Sequence, residues 1–318
     1  MPTALPARVL VLGLGYSGRH LAALLHAHGV HCSGTVRDPA NAPDDGLLRH
    51  RLVAGEPISA GLHEAIRTAE ALVCAVPPDA DGDPALRLLT DALSDSPALR
   101  WVGYLSSTAV YADRDGGWVN ETSAADATDE TALKRLHAEQ QWQALAQARG
   151  IASAVFRLPG LYGRGRNALV QLAQGKARQV VRPGLVFNRL HVEDLASGVL
   201  AAMQRPAGDA LHLLSDDEPA PPQNVVAYAA ALSGLPLPVV QAWDAPEVAA
   251  SLRRFYTSNK RIDGRATRAA LQWQPRFTTY REGLDDAWTH GDGRPALRQP
   301  TTGTYLLRPR QTAGRTRA

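Results

Sequence analysis

A short apolar segment that runs directly into a glycine-rich turn constrains this chain more than any other feature. Residues 9–12 are apolar, and Gly13, Gly15 and Gly18 follow in the spacing G-x-G-x-x-G, with a helical pattern immediately after them. This order predicts a strand–turn–helix unit, in which the glycines allow a tight turn, close approach of phosphates and close packing of the helix. Free N–H groups at the start of a helix attract anions. We therefore predict that a dinucleotide diphosphate binds at Gly13, Gly15, Tyr16, Ser17 and Gly18.

Strand and helix patterns alternate along the first half of the chain. Apolar segments typical of strands occur at residues 30–36, 52–54, 72–76, 101–105 and 151–157. Helical patterns lie between them, and a long one covers residues 129–149 and ends at Gly150. This alternation predicts an α/β fold, a Rossmann-type doubly wound parallel sheet with helices on both faces. Ligands of such sheets bind beyond the carboxyl ends of the strands.

The composition is typical of a globular protein and argues against several classes of partner. Of the 318 residues, 45% are hydrophobic and 20% are charged, and the net charge is only +3. No basic stripe is interleaved with aromatic residues, so we expect no nucleic-acid partner. The apolar run at residues 9–14 is too short for a signal peptide or a membrane span, so we expect a cytoplasmic location without membrane association. Cys32 and Cys74 fall in predicted strands as buried, reduced thiols.

The end of the second predicted strand carries the residues that distinguish two dinucleotides. A carboxylate at this place grips the 2′-hydroxyl of NAD, whereas an arginine nearby accommodates the 2′-phosphate of NADP. Arg37 occupies the place, and Asp38 follows one residue later as a competitor. An arginine here also stacks on the adenine face. We predict NADP as the cofactor, with NAD as the alternative. The interpretation without a functional role is that Arg37 is a solvated surface residue.

Three further motifs carry a family resemblance. Residues 105–111 resemble the "SS-x-x-VYG" segment, residues 157–163 the "R-x-x-x-x-YG" segment and residues 191–196 the "H-V-D-D-x-A" segment of extended short-chain dehydrogenases/reductases, the group that holds NAD-dependent epimerases and dehydratases. The three occur in the family's order. The resemblance implies that residues matching Pro159, Gly160 and Leu161 lie near the nicotinamide, and that those matching Ala75, Val76 and Pro77 lie near the adenosine half.

The resemblance also implies a domain organisation. A dinucleotide-binding domain would comprise residues 1–158 and 188–215, and a smaller, interleaved C-terminal substrate lobe residues 159–187 and 216–290. From residue 291 the chain is rich in Arg, Thr, Gln and Pro with little periodicity, so we predict that residues 291–318 form a disordered tail. Relatives often pair through a four-helix bundle, and by analogy we expect a monomer or a homodimer.

The long helix departs from the family pattern at the catalytic positions. The family carries Y-x-x-x-K followed four residues later by Glu, and Glu139 matches that Glu. Arg135 then stands at the lysine position and Thr131 at the tyrosine position, as in an atypical subgroup that lacks the pair. Residues four apart share a helix face, so the geometry is kept. However, a threonine hydroxyl is a poor acid or base, and an arginine holds a ribose or phosphate but exchanges no proton.

Other site candidates carry two interpretations each. Ser107 matches the family's catalytic serine, and it either hydrogen-bonds a substrate oxygen or caps the strand end. Tyr162 is the candidate replacement acid, although packing between the lobes is the plainer role. For His191 we favour a helix-start position, with Asp194 or Glu193 as the cap, over a metal ligand, because no ligand spacing for a metal is present elsewhere. Polar side chains in two loops either bind an acidic substrate or are solvated: Arg164, Arg166, Asn167, Asn188 and Arg189.

Two functions remain open at this point. The glycine turn, Arg37 and Ser107 favour an NADP-dependent oxidoreductase, or an epimerase or dehydratase relative, that acts on an unidentified small polar substrate with altered acid/base residues. Loss of the Tyr/Lys pair favours a non-catalytic NADP(H)-binding sensor or regulatory protein.

Overall fold

A seven-stranded parallel sheet forms the larger of two lobes in the computed structural model, which describes residues 2–294. The strands are β1 (Arg8–Leu12), β2 (His31–Val36), β3 (Leu48–Arg51), β4 (Ala71–Cys74), β5 (Trp101–Ser107), β6 (Trp118–Val119), β7 (Ala152–Leu158), β8 (Gly160–Tyr162), β9 (Gln179–Val181), β10 (Arg189–His191), β11 (Asp209–Leu213), β12 (Val240–Ala242) and β13 (Arg261–Ile262). The helices are α1 (Tyr16–Ala27), α2 (Ala60–Thr68), α3 (Pro84–Ser94), α4 (Glu130–Arg149), α5 (Ala168–Ala173), α6 (Val192–Met203), α7 (Pro222–Ser233), α8 (Ala250–Arg253), α9 (Arg265–Leu271) and α10 (Tyr280–Thr289), with two 3₁₀ turns at Thr108–Val110 and Arg254–Tyr256.

The large sheet has the strand order β11-β7-β5-β4-β1-β2-β3, and every neighbouring pair is parallel. The order reverses between β1 and β4, which creates a crevice at the carboxyl ends of these two central strands. This topology confirms the predicted α/β, Rossmann-type doubly wound fold.

Both faces of the sheet are covered by helices, because side chains alternate between the faces along each strand. Val9, Val11 and Val73 pack with α1 and α6 on one face. Leu10 and Leu12 pack with α2, α3 and α4 on the other. Burial on both sides explains why β4 has four fully buried residues in succession. Cys32 and Cys74 are buried free thiols on separate strands.

The third strand corrects one expectation. It lies at Leu48–Arg51 and not at residues 52–54, which form a turn after the last ladder bond from the Leu52 N–H to the Val36 carbonyl. The apolar run at 52–54 is therefore not the strand. The strand at 48–51 is formed by its pairing with β2 and not by an apolar pattern, since Leu48 is exposed and His50 is its buried residue.

The small lobe is built from three two-stranded parallel ladders and a group of helices. The ladders pair β8 with β10, β9 with β12 and β6 with β13, and each joins distant parts of the chain. Helices α5, α7 and α10 enclose a core around Leu169, Ala229 and Leu284. Within the segment predicted as a tail, Asp292 accepts hydrogen bonds from the Gly165 N–H and the Asn167 amide. The rest of that predicted tail lies outside the described residues.

Across residues 2–294, no helix combines the length and the apolar character that a bilayer crossing requires. The same part of the chain brings together no group of three or more His, Cys, Asp or Glu side chains suited to a metal ion.

Candidate active site

The glycine turn after β1 has the geometry that its spacing predicts. Gly13 has a φ of +92°, and its N–H donates to the Thr35 hydroxyl at 2.9 Å. A Cβ on Gly18 would lie 2.2 Å from the Gly13 carbonyl oxygen, so only glycine lets α1 start this close to the turn. The local sequence therefore fixes the direction in which α1 points its first N–H groups.

Gly15 provides the open part of this turn. It is the N-cap of α1, no side chain caps the helix there, and a Cβ on Gly15 would meet nothing within 4 Å. Exposed N–H groups in the first turn, with the positive end of the helix dipole, suit a diphosphate. Tyr16 and Ser17 begin the helix beside this space. The residues present thus fit a dinucleotide, although their contact with one remains a prediction.

The end of β4 lies on the other side of the turn. A Cβ on Gly13 would lie 3.1 Å from Val76 Cγ2 and 3.4 Å from the Ala75 carbonyl carbon, so residues 75 and 76 flank the glycine turn. Pro77 follows as an exposed residue. The structure thus brings Ala75 and Val76 next to the glycine turn.

A polar network beneath β4 was not found by sequence analysis. Asp83 is buried and accepts from the Trp142 indole N–H at 2.8 Å and from the Cys74 thiol at 3.3 Å. Its other oxygen caps α3 through the N–H groups of Ala85 and Leu86. The Asp-Pro helix start is legible in the sequence, but its partners on β4 and α4 are not. The network fixes the loop that carries residues 75–77.

The side chains of Arg37 and Asp38 differ in how many hydrogen-bond partners they already have within the protein. The Asp38 carboxylate accepts from the Ala40 N–H and the Asn41 side chain, and these hydrogen bonds lower its pKa. Arg37 is exposed, and its guanidinium has no hydrogen bond or ion pair to any residue in 2–294. The nearby Arg51 is committed to Glu56 and to the Arg37 carbonyl. The Arg37 side chain therefore has no partner among residues 2–294, whereas Asp38 already accepts two hydrogen bonds from its own loop.

Helix α4 places Thr131 and Arg135 differently with respect to the sheet. Asp129 caps the helix, and Thr131 is exposed in its first turn without a side-chain partner among the described residues. Arg135 reaches back to β5, where its Nη1 donates to the Leu105 carbonyl at 3.0 Å and to the Tyr104 hydroxyl at 3.4 Å. Arg135 thus packs against β5 two to three residues before Ser107.

Ser107 ends β5, and its Oγ accepts from the Ala109 N–H at 3.1 Å. This hydrogen bond is the strand-end cap, one of the two roles that the sequence left open for Ser107. The hydroxyl proton of a serine that accepts one bond is still available for a second partner. The structure therefore shows the capping role and leaves room for substrate contact.

Pro159, Gly160 and Leu161 line the start of the small lobe. The Gly160 N–H donates to the Asn188 carbonyl at 3.2 Å, which ties this segment to the loop before β10. The Tyr162 hydroxyl is used by the small lobe: it donates to the Thr279 carbonyl at 3.2 Å and packs under Gly283. Burial raises the pKa of this phenol well above its ordinary value. The placement favours packing over proton transfer for Tyr162.

His191 caps α6 with its own ring, which corrects the expected cap. Its Nδ1 accepts from the Glu193 N–H at 3.3 Å, whereas the Asp194 carboxylate accepts from the Arg276 and Phe277 N–H groups in the small lobe. Burial lowers the pKa of His191 to about 4. Its Nε2 and the Tyr16 hydroxyl have no partner in residues 2–294, and both lie beside Gly163 at the junction of the lobes.

Most of the polar loop residues are committed to the fold. Arg164 pairs with Asp286 at 2.8 Å, and Asn167 caps α5. The Asn188 side chain holds the backbone of Lys260 and Ile262. Arg166 is the exposed one; its guanidinium lies 5.1 Å from the centre of the Tyr16 ring. Arg166 thus remains the loop side chain suited to an anion next to the glycine turn.

The fold and the crevice are those of a dinucleotide-dependent enzyme family. The model for the NAD dependent epimerase/dehydratase family matches residues 9–212, which is more than half of the chain. The chain belongs to this family.

Two curated relatives have similar sequences. A 3-diazoavenalumate denitrifying reductase from a Streptomyces species is 30% identical over 306 residues, which cover 87% of this chain and 99% of the relative. Protein YeeZ of Escherichia coli strain K12 is 29% identical over 231 residues, which cover 70% of this chain and 81% of the relative.

Solved structures share the fold. A conserved protein of unknown function from Silicibacter pomeroyi matches with a TM-score of 0.81 at 38% identity, over 90% of this chain and 99% of that one. MoeE5 in complex with UDP-glucuronic acid and NAD matches with a TM-score of 0.69 at 23% identity, over 89% of this chain and 99% of that one. The second likeness concerns the fold alone.

Proposed function

We propose that this protein is an NADP(H)-dependent reductase of a small polar substrate with an electron-poor double bond such as a carbonyl. The observation that carries the proposal is the pairing of an open glycine turn at Gly15 with an uncommitted Arg37, while Asp38 is occupied by its own loop. Reductase activity is favoured over epimerisation by the 30% identical relative, whose name is that of a reductase.

The chain's own residues supply binding and orientation. The N–H groups at the start of α1 would hold the diphosphate, and Arg37 the 2′-phosphate. Arg135 keeps N–H groups besides the one that donates to Leu105, and these would hold the ribose. When bound, the reduced nicotinamide supplies a hydride. Ser107 would donate its hydroxyl proton in a hydrogen bond to the substrate oxygen, while its Oγ keeps the Ala109 contact.

The second candidate is an NADP(H)-binding sensor without turnover. The exposed Thr131 at the family's tyrosine position favours it, because no acid stands at that place. The two candidates share cofactor binding and differ in chemistry.

Two measurements test the proposal. Calorimetry with NADPH and NADH measures binding, and absorbance at the nicotinamide band measures oxidation in a screen of aldehydes, ketones, quinones and diazo compounds. We expect micromolar NADPH binding and turnover of one class, with loss of most of the turnover and unchanged binding in Ser107→Ala. Tight binding without turnover of any class would favour the sensor. Absence of binding to both dinucleotides would contradict both candidates.

A further inference from the structure

Lys260 lies where three parts of the candidate active site meet. Its Nζ donates to the Tyr111 carbonyl at 2.5 Å, in the loop that starts at Ser107. Its own carbonyl accepts from the Asn188 side chain at 2.8 Å, and the Asn188 carbonyl in turn accepts from the Gly160 N–H at 3.2 Å. The ammonium is therefore next to the loop after β5, and the Lys260 main chain is linked through Asn188 to the segment expected beside the nicotinamide.

This ammonium is buried without a carboxylate partner. Lys260 is 8% exposed, and its contacts in residues 2–294 are neutral, the Tyr111 carbonyl and the Ser258 hydroxyl at 2.7 Å. An ammonium has three N–H groups, so one remains for a ligand oxygen. A buried charge without an ion-pair partner is costly, and it therefore gives up its proton more readily than an exposed lysine.

The charges that face Lys260 come from two segments. Asp113 and Arg114 belong to the loop after Tyr111, and Asp126 and Asp129 to the segment that leads into α4. Asp129 caps α4, the helix that carries Thr131, so the charges that act on the ammonium include the start of this helix. Burial, against the pull of the three carboxylates, lowers the pKa of Lys260 to about 8.

We propose that Lys260 is the catalytic proton donor of this site, in place of the family tyrosine; this inference rests on the reductase function proposed above. In the reduction of a carbonyl, the hydride from the reduced nicotinamide forms the new C–H bond and the cofactor becomes oxidised. The C=O π pair moves to oxygen, which takes the Nζ proton and becomes a hydroxyl. The neutral amine then takes a proton from solvent.

A labelling experiment on the protein without cofactor tests at which pH the Lys260 amine loses its proton and whether a small reagent can reach it. The chain has only three lysines, Lys134, Lys176 and Lys260, so dinitrofluorobenzene labelling followed by mass spectrometry resolves each one. We expect half-maximal labelling of Lys260 near pH 8, clearly below the midpoints of the other two, which serve as internal references. Labelling of Lys260 at the same pH as the references would overturn the proposal. So would complete protection, because a substrate must also reach the amine.

Kinetics of Lys260→Arg and Lys260→Met test the proton transfer itself. General acid catalysis is worth about 100-fold or more, so we expect at least that loss in kcat/KM with NADPH affinity unchanged. In the wild type, kcat/KM should fall by about tenfold per pH unit above pH 8. This decline should be absent from the pH profile of Lys260→Arg. Lys176→Arg, a change at an exposed lysine, should behave like the wild type.

The outcomes separate this proposal from the one on which it rests. The reductase function is contradicted if the wild type binds no NADPH, or if it binds NADPH but reduces none of the substrates in the screen. If the wild type turns over, and kcat/KM of both Lys260 variants stays within about threefold of the wild-type value with the same decline above pH 8, only the role of Lys260 is overturned. Thermal unfolding of each variant, and its NADPH affinity, show whether the fold is intact.

Discussion

Arg157 and Glu139 form a buried ion pair that joins β7 to the middle of α4. Arg157 Nη2 lies 2.8 Å from Glu139 Oε2, and both side chains are less than a tenth exposed. Glu139 also accepts from the Ser106 hydroxyl, and Arg157 Nη1 donates to the Tyr111 hydroxyl at 3.0 Å. Glu139 matches a family glutamate in the sequence, but its chemistry here is structural. It fixes α4 against the carboxyl end of β5, where Ser106 and Ser107 lie.

Glu139→Ala should lower the free energy of unfolding by about 3–5 kcal/mol, because it leaves the Arg157 charge buried without its partner. Urea unfolding followed by circular dichroism measures the change. Glu130→Ala is the matched control, since Glu130 pairs with Lys134 on the exposed face of the same helix. It should cost less than about 1 kcal/mol. Equal effects of the two changes would contradict a structural role for the buried pair.

Two glycine substitutions in the same turn should separate binding from folding. Gly15→Ala places a methyl group in open space and should change stability by less than about 1 kcal/mol, while it obstructs the diphosphate and weakens NADPH binding by tenfold or more. Gly18→Ala places a Cβ 2.2 Å from the Gly13 carbonyl and should lower both stability and binding. Calorimetry and thermal unfolding check both. Unchanged NADPH affinity in Gly15→Ala would argue against this turn as the diphosphate site.

Arg37→Ala tests the choice of dinucleotide. A hydrogen-bonded arginine–phosphate contact is worth about 1.5–3 kcal/mol, so we expect NADPH affinity to fall by about 10- to 150-fold. NADH lacks the 2′-phosphate, and its affinity should change by less than about threefold. Isothermal titration of both cofactors measures the two affinities. A parallel loss for NADH and NADPH would mean that Arg37 acts on the adenine and not on the phosphate.

Asp216 should make stability fall as the pH rises. Burial raises the pKa of this carboxyl to about 8 against the opposing charge of Arg189, and the side chain is 2% exposed. The folded protein therefore holds a proton that the unfolded chain releases near its ordinary pKa of about 3.9, so stability declines between about pH 4 and pH 8. One proton gives at most about 1.4 kcal/mol per pH unit.

Asp216→Asn removes this titration. The stability of the variant relative to the wild type should rise through that window, measured by urea unfolding at pH 5, 6, 7 and 8. Asp244→Asn, at an exposed carboxylate, supplies the control and should show a flat difference. A flat difference for Asp216→Asn as well would mean that the carboxyl ionises at an ordinary pH in the folded protein.

Local sequence rules predicted the parts of the site that local geometry determines. The turn at Gly13 and Gly18 depends on backbone conformation and close packing within one βα unit, so the spacing alone specified it. The helix predicted over 129–149 agrees with α4 to within one residue, since Asp129 is the N-cap and Gly150 the left-handed C-cap. The structure places residues 75 and 76 beside Gly13, and the adenosine contact that the resemblance implies for residues 75–77 stays a prediction.

Features that depend on distant partners escaped prediction. Nothing near Lys260 in the sequence indicates that its amine would reach Tyr111, since that contact spans 149 positions. The strand at Leu48–Arg51 was missed because its pairing with β2, and not an apolar pattern, makes it a strand. The hydrogen bond from Asn41 to Asp38, by contrast, is local. The spacing of three residues between an Asp and an Asn is a sequence signal for such a side-chain turn.

The interleaved ladders of the small lobe have a consequence for biosynthesis. Strands β6 and β9 obtain their partners only from β13 and β12, which are translated more than 50 residues later than either of them. A nascent chain that has already completed the seven-stranded sheet through β11 still exposes those unpaired edges at the ribosome. Completion of the small lobe must therefore await emergence of the C-terminal third, and nonsense truncations after residue 213 would leave the seven-stranded sheet beside an unfinished, aggregation-prone small lobe.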